Sequence, residues 1–253
     1  MKRPRIEDDP DLWRALRGAI EAERLFGLDF LPRGPALAPV APEEETPPTM
    51  AVPASIPSMG PSGGVDLDTL AQRIASCRAC RLCETRSRTV PGQGAPRARL
   101  MLIGEAPGHE EDRQGLAFVG ASGQLLTRML AAIGLDREEV FIANILKCRP
   151  PENREPAPSE VESCIHFLFD QIDLVQPEVI CTLGGTAANN LLERSESMSR
   201  LRGRVFDLRG RKLVPTYHPS YLLRRPEEKR KAWEDLQLVA SLLGLSLPPR
   251  GGG

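Results

Sequence analysis

Residues 99–146, RLMLIGEAPGHEEDRQGLAFVGASGQLLTRMLAAIGLDREEVFIANIL, decide the fold. Arg99–Gly104 is an apolar run ending in glycine, which predicts a buried strand. Ser122 is placed to cap a helix through GQLLTRMLAAIG, where Leu125, Leu126, Met129 and Ile133 form one apolar stripe closed by Gly134. Val140–Leu146 then reads as a second strand. The same grammar continues downstream. A long helix opens at Pro158-Ser159-Glu160 and runs to about Val175, and Glu178–Leu183 makes a third strand. Gly184-Gly185 starts a helix through Leu192, Lys212–Tyr217 gives a fourth strand, and Glu227–Leu243 a closing helix. Upstream, a helix starts at Asp68 and runs into Cys77. Strands alternating with helices predict an α/β fold with a parallel sheet covered on both faces. In such sheets ligands bind at the carboxyl ends of the strands. That points to four loops: after Gly104, at Asn144–Cys148, at Gly184-Gly185 and from His218.

The flanks read differently. Residues 34–65 are rich in Pro, Ala and Gly without apolar periodicity, the composition of a disordered linker. Before them, residues 1–33 form an extension whose Leu12, Trp13, Leu16, Ile20 and Phe26 fall near one face of a short amphipathic helix, a candidate docking segment for a protein partner. The folded domain is expected over residues 66–247, with a flexible tail at 248–253. No run of 18 apolar residues and no signal-peptide core are present, so the expectation is a cytoplasmic monomer that does not enter membranes. Net charge is −1, but it is split unevenly: residues 1–70 hold 7 Lys/Arg and 12 Asp/Glu, and the remainder 26 and 22. Between Met198 and Lys231 there are 11 Lys/Arg against Asp207, Glu227 and Glu228, a field suited to a phosphate backbone.

In a reducing compartment six cysteines point to metal or catalysis rather than disulfides. Cys77 and Cys80 form a C-x2-C pair, and Cys148 and Cys164 a wider one. Together they are a four-thiolate shell for zinc or an iron–sulfur cluster, and spacing does not choose between the two. Cys83 lies one turn beyond Cys80 and competes as a ligand, while Cys181, inside EVICTL, reads as a small core residue. Gly104-Glu105-Ala106-Pro107-Gly108 makes a rigid loop whose backbone groups can face a ligand. Asn144, between Ile142 and Ile145, is a buried amide in need of partners, able to read a base edge.

GEAPGHEED, LAFVGASGQLL, NILKCRPPENREP and YHPSYLLR, in this order, resemble the family-4, iron–sulfur uracil-DNA glycosylases, over roughly Cys77 to Leu243. The resemblance implies a three-layer α/β/α domain around a four-stranded parallel sheet, and a structural 4Fe–4S cluster on Cys77, Cys80, Cys148 and Cys164. It implies a monofunctional glycosylase of base excision repair that acts on uracil-containing DNA, releasing uracil and leaving an abasic site. Phe118 would be the platform under the flipped base. Asn144 would read the O4/N3 edge, and backbone groups of Glu105, Ala106 and Pro107 would hold the other edge. His218 would donate to uracil O2. From the loop after His218, an apolar wedge (Tyr221, Leu222 or Leu223) would fill the vacated space, with Arg224 and Arg225 on phosphates. Better-known uracil glycosylases of another family carry an aspartate where this chain has Ala106, which leaves Glu111, favoured, or Glu105 to activate water, or Asn144 to position it without deprotonating it. Two other readings stand beside this one: a glycosylase for another damaged base, and a non-catalytic, metal-stabilised nucleic-acid-binding or polymerase-associated module.

Overall fold

The computed structural model describes residues 66–247; the extension, linker and tail expected at 1–65 and 248–253 lie outside the described residues. The chain forms β1 (Gln93–Gly94), β2 (Leu100–Gly104), β3 (Phe141–Asn144), β4 (Val179–Leu183), β5 (Phe206–Leu208) and β6 (Arg211–Thr216). The helices are α1 (Leu67–Ser76), α2 (Leu82–Thr85), α3 (His109–Gln114), α4 (Ala121–Ala132), α5 (Pro158–Val175), α6 (Gly185–Leu192), α7 (Met198–Leu201), α8 (Pro219–Arg224) and α9 (Lys229–Leu242).

One sheet carries them all, in the order β1-β3-β2-β4-β6-β5. Its central members β3, β2, β4 and β6 are the parallel strands expected from the sequence. Two short antiparallel edges are added, β1 on β3 and β5 on β6. Strands β2 and β4 are buried at every residue, as strands covered on both faces must be. Successive side chains alternate between two cores. Leu102, Cys181 and Val214 face α4 and α9; Met101, Ile103 and Ile180 face α1, α5 and α6. Cys181 is fully buried, and burial pushes its thiol far up, in keeping with a core residue. The result is three layers, α/β/α.

Local signals set the ends of several elements. The Asp66 carboxylate accepts from Thr69 N at 2.8 Å and starts α1. Glu160 returns to Ala157 N at 2.8 Å behind Pro158, which fixes the start of α5. One expectation changes: Ser122 lies inside α4, whose N-cap is Gly120 with no side-chain cap bond. The second strand also ends at Asn144 rather than Leu146, because Ile145 N and Leu146 N turn to the carbonyls of Gly104 and Glu105. The chain crosses from the β2–β3 side to the β4–β6 side between β2 and β4, so a crevice opens there at the carboxyl ends.

Candidate active site

The carboxyl ends of β2 and β3 meet at the register pair Gly104 and Asn144, beside a cavity of about 880 Å3. Gly104 lies behind the lining residues Asn144 and Phe118. A Cβ there would collide with Asn144 Oδ1 and stand 2.7 Å from Phe118 Cζ, so glycine alone lets amide and ring approach one point of backbone. Asn144 is 1% exposed, and its Oδ1 has no hydrogen-bond partner among the described residues. An orphaned buried acceptor costs about 1–3 kcal/mol. Stability does not explain it; a ligand N–H would.

Phe118 is buried and holds a left-handed backbone (φ 52°), a conformation costly for a bulky residue. Three contacts impose it. Glu111 Oε1 accepts from Val119 N (3.0 Å) and Gly120 N (3.2 Å), and Arg137 donates to the Ala117 carbonyl. From the other side, a Cβ on Gly123 of α4 would strike the Phe118 carbonyl. The ring is thereby held against His218 in the cavity wall, centroids 5.5 Å apart and tilted by 34°.

His218 follows β6 and caps α8. Its Nδ1 accepts from Ser220 N at 3.1 Å and lies 2.7 Å from Ser220 Oγ. An Nδ1 used as acceptor leaves the proton of the neutral ring on Nε2. Burial, assisted by the nearby Arg224 charge and opposed by Glu111, pushes the imidazole pKa down to about 4. At neutral pH His218 is therefore an uncharged Nε2–H donor on the cavity wall.

Glu105, Ala106 and Pro107 line the cavity with Glu111. The two carboxylates differ. The Glu111 carboxylate is engaged by the loop it braces; the Glu105 carboxylate makes no hydrogen bond or ion pair among the described residues. At the rim, Tyr221 stacks on Tyr217 at 5.0 Å and Arg224 lines the opening. The expected wedge is narrowed: Leu222 is 0% exposed and packs inward, so it cannot enter DNA, whereas Leu223 is 41% exposed. Arg225 is exposed and pairs with Glu227 at 3.6 Å.

Among the described residues, five of the eleven basic residues between Met198 and Lys231 have a carboxylate partner, Arg225 among them. Arg202 pairs with Asp235 and Glu234, Arg211 with Asp173, Arg230 with Glu234 and Lys231 with Glu228. Arg204 lies over the Phe206 ring and Arg209 over Phe169.

Cys77, Cys80, Cys148 and Cys164 line a second cavity, together with Cys83. Among the described residues no three His, Cys, Asp or Glu side chains converge closely enough for a single metal ion. Arg86 Nη1 donates to Cys148 Sγ at 3.0 Å, and its Nη2 holds the Cys77 carbonyl at 2.8 Å. The Lys147 backbone N–H donates to Cys164 Sγ at 3.3 Å. Burial pushes the Cys164 thiol up to about 11 and raises Cys80 and Cys148 as well; Lys147 opposes the shift at Cys164 and Arg86 at Cys148.

Sequence reasoning missed part of the main cavity. Asn153 and Arg154 come from the Pro-rich PPENREP loop, and Met198 and Ser199 from α7. The proline cluster was a usable signal for the first pair; nothing in MSRL marks the second.

A protein-family model described as the uracil DNA glycosylase superfamily matches residues 91–237. A type-4 uracil-DNA glycosylase of Archaeoglobus fulgidus is 43% identical over 190 residues, covering 72% of this chain and 96% of that relative. Those of Thermotoga maritima and Sulfurisphaera tokodaii are 42% and 39% identical, covering 70% of this chain and 94% and 84% of theirs. Among the described residues no helix is long and apolar enough to cross a membrane. With matches of this extent, the chain belongs to the uracil-DNA glycosylase superfamily, in its type-4 branch.

Proposed function

We propose that this protein is a uracil-DNA glycosylase, which hydrolyses the N-glycosidic bond of deoxyuridine in DNA, releases uracil and leaves an abasic site. The observation that carries the reading is the orphaned Asn144 Oδ1 in the cavity that Phe118 and His218 also line. A base in a duplex is out of reach, so the nucleotide must flip out, at a cost of a few kcal/mol. Once flipped, uracil offers N3–H to Asn144 Oδ1 and O4 to its amide N–H. Cytosine presents the opposite pattern, an acceptor at N3 and a donor at N4, and leaves the buried amide unpaired. Phe118 is the stacking face. As the bond to the sugar breaks, negative charge grows on the base, and the neutral His218 Nε2–H donates to O2.

Glu105 takes the role of orienting water, and Glu111 that of bracing the Phe118 loop. Glu105→Gln lowers the single-turnover rate about 10–100-fold at unchanged stability. Glu111→Gln keeps an acceptor for the loop and stays within about threefold. Single-turnover cleavage with thermal melts checks both; the reverse order of losses returns the water to Glu111.

At the rim, Leu223 and Tyr221 supply apolar surface to the gap in the duplex, and Arg224 supplies charge to a phosphate. Arg224→Ala weakens binding to all DNA sequences alike and lowers the slope of log K against log salt by about 1. Titrations at several salt concentrations measure it, and an unchanged slope removes Arg224 from the phosphate contacts.

The donor set around the second cavity fits a 4Fe–4S cluster. Thiols from two distant pairs surround one cavity shielded by Ile74 and Phe167, with the Arg86 guanidinium on Cys148 and the Lys147 backbone N–H on Cys164. Cys77, Cys80, Cys148 and Cys164 would hold it. When bound, the cluster supplies cross-links between the α1 end, the segment after β3 and α5 rather than reaction chemistry.

The test of the whole reading is a labelled oligonucleotide with one uracil, incubated with the protein and then treated with alkali. Strand cleavage at uracil alone, and at no cytosine, supports it; no cleavage by folded protein sinks it.

A further inference from the structure

Lys147 is 1% exposed, among the largest fully buried side chains. Its Nζ donates to the Asn144 carbonyl and to Gln171 Oε1, each at 2.7 Å, and no carboxylate pairs with it among the described residues. Gln171 continues the chain of contacts, donating to the Pro91 carbonyl at 2.5 Å. The backbone of Lys147 is equally committed: its N–H lies on Cys164 Sγ at 3.3 Å, and its carbonyl accepts from Val90 N at 2.8 Å. Lys147 also lines the cysteine cavity. One residue thus touches both sites, the thiol cavity through its backbone and the Asn144 peptide through its ammonium.

We propose that Lys147 is a positioning residue that couples the state of the cysteine cavity to the placement of Asn144. The inference rests on the function proposed above, in which Asn144 reads uracil. An ammonium inside protein with only neutral oxygens as partners costs several kcal/mol. The Lys147 N–H already lies on Cys164 Sγ at 3.3 Å, so a ligand thiolate of a bound cluster would sit against the same residue and supply compensating charge. Neutral acceptors alone do not explain why a cation, rather than an apolar side chain, fills this position. Geometry supplies the other half. Cys148 follows Lys147 directly, and Asn144 is three residues before it. Motion of Cys148 or Cys164 displaces the Lys147 backbone, and the ammonium transmits that displacement to the Asn144 carbonyl. Because the Asn144 side chain leaves the same peptide segment, a tilt there turns the reading amide off the base.

The test uses the full-length, cluster-loaded protein and Lys147→Met, which keeps length and loses the ammonium. Two readouts are taken: the inhibition constant of free uracil, and the half-life of the visible absorption band under chelator. Lys147→Met should weaken uracil inhibition about tenfold or more and shorten the half-life several-fold. Affinity for duplex DNA carrying an abasic site should stay within about twofold, since phosphate contacts lie elsewhere. A purely structural role would lower melting temperature and DNA affinity together without singling out uracil. An unchanged value of either main readout overturns the coupling. If Lys147→Met does not fold, Gln171→Leu, which leaves the ammonium one acceptor, must shift both readouts in the same directions; no shift overturns the inference. A wild type that neither excises uracil nor is inhibited by it sinks the proposed function itself. A wild type that excises uracil beside an unaltered variant sinks only the role of Lys147.

Discussion

His218→Ala lowers the single-turnover rate of uracil release by about 10²–10³-fold, the loss that follows removal of one preorganised donor to a developing anion. The structure makes the donor specific. Nδ1 is occupied as an acceptor by Ser220 N, so the neutral ring offers Nε2–H and nothing else to the cavity. The same contact caps α8, and losing a cap costs about 1 kcal/mol. A fall in activity could therefore be mistaken for a fall in stability. His218→Asn separates them, because asparagine is a good cap but its short amide does not reach the position of Nε2. It should regain the melting temperature of the wild type without its rate. Burial holds the His218 pKa at about 4, so the ring stays neutral, and the rate insensitive to His218 titration, until pH falls near that value. The stability consequence has a definite sign. Between about pH 6.5 and about 4 the unfolded chain binds a proton that the folded chain does not, so stability falls as pH is lowered through that window and is full above it. A melting series from pH 7 to 4 should show this loss in the wild type and a smaller one in His218→Ala. A rate that drops at pH 6 along with protonation of His218 would mean that the ring is not held as a neutral donor.

The four parallel strands and the helices between them were legible because apolar runs and their punctuation are local. Pro158 and Glu160 announce α5, and the helix spans Pro158–Val175 as read. The edge strands were not legible: β1 and β5 are two and three residues long, too short for a period, and are defined only by their partners β3 and β6. In the site, motif order pointed to Gly104, Phe118, Asn144 and His218; the last three line one cavity, and Gly104 packs behind Asn144 and Phe118. Sequence could not separate Leu222 from Leu223, since a six-residue helix contains too few turns to fix its phase. Nor could it show which members of the basic run after Met198 are paired. The carboxylates that neutralise Arg202 and Arg211 lie 32–38 residues away in sequence. Lys147 in NILKC gave no sign of burial, because lysine is almost always solvated and only the assembled core denies it water.

Gly104→Ala tests the assembled pocket with a single methyl. The backbone of Gly104 does not need glycine for its own sake: it ends a regular strand and is absent from the positive-φ positions. What it needs is empty space. The added Cβ would overlap Asn144 Oδ1 and stand 2.7 and 2.9 Å from Phe118 Cζ and Cε2, so amide and ring must both retreat. Neither can do so freely. Phe118 is fixed between Gly123 and the Glu111 brace, and Asn144 is held by pairing to β2 and by Lys147. The methyl therefore forces the amide and the ring out of the places from which they would meet the base. Stacking on an aromatic is worth about 1–3 kcal/mol and each lost hydrogen bond to the base about 1 kcal/mol, which together predict a 10²–10³-fold lower excision rate. Binding to abasic-site DNA should persist, because Arg224 and the outer rim are untouched. Comparing single-turnover rates, inhibition by free uracil and affinity for abasic DNA separates pocket from rim. Loss of the first two with retention of the third places the flipped base against Gly104. A Gly104→Ala protein that excises uracil at the wild-type rate would put the base elsewhere in the cavity, away from both Asn144 and Phe118.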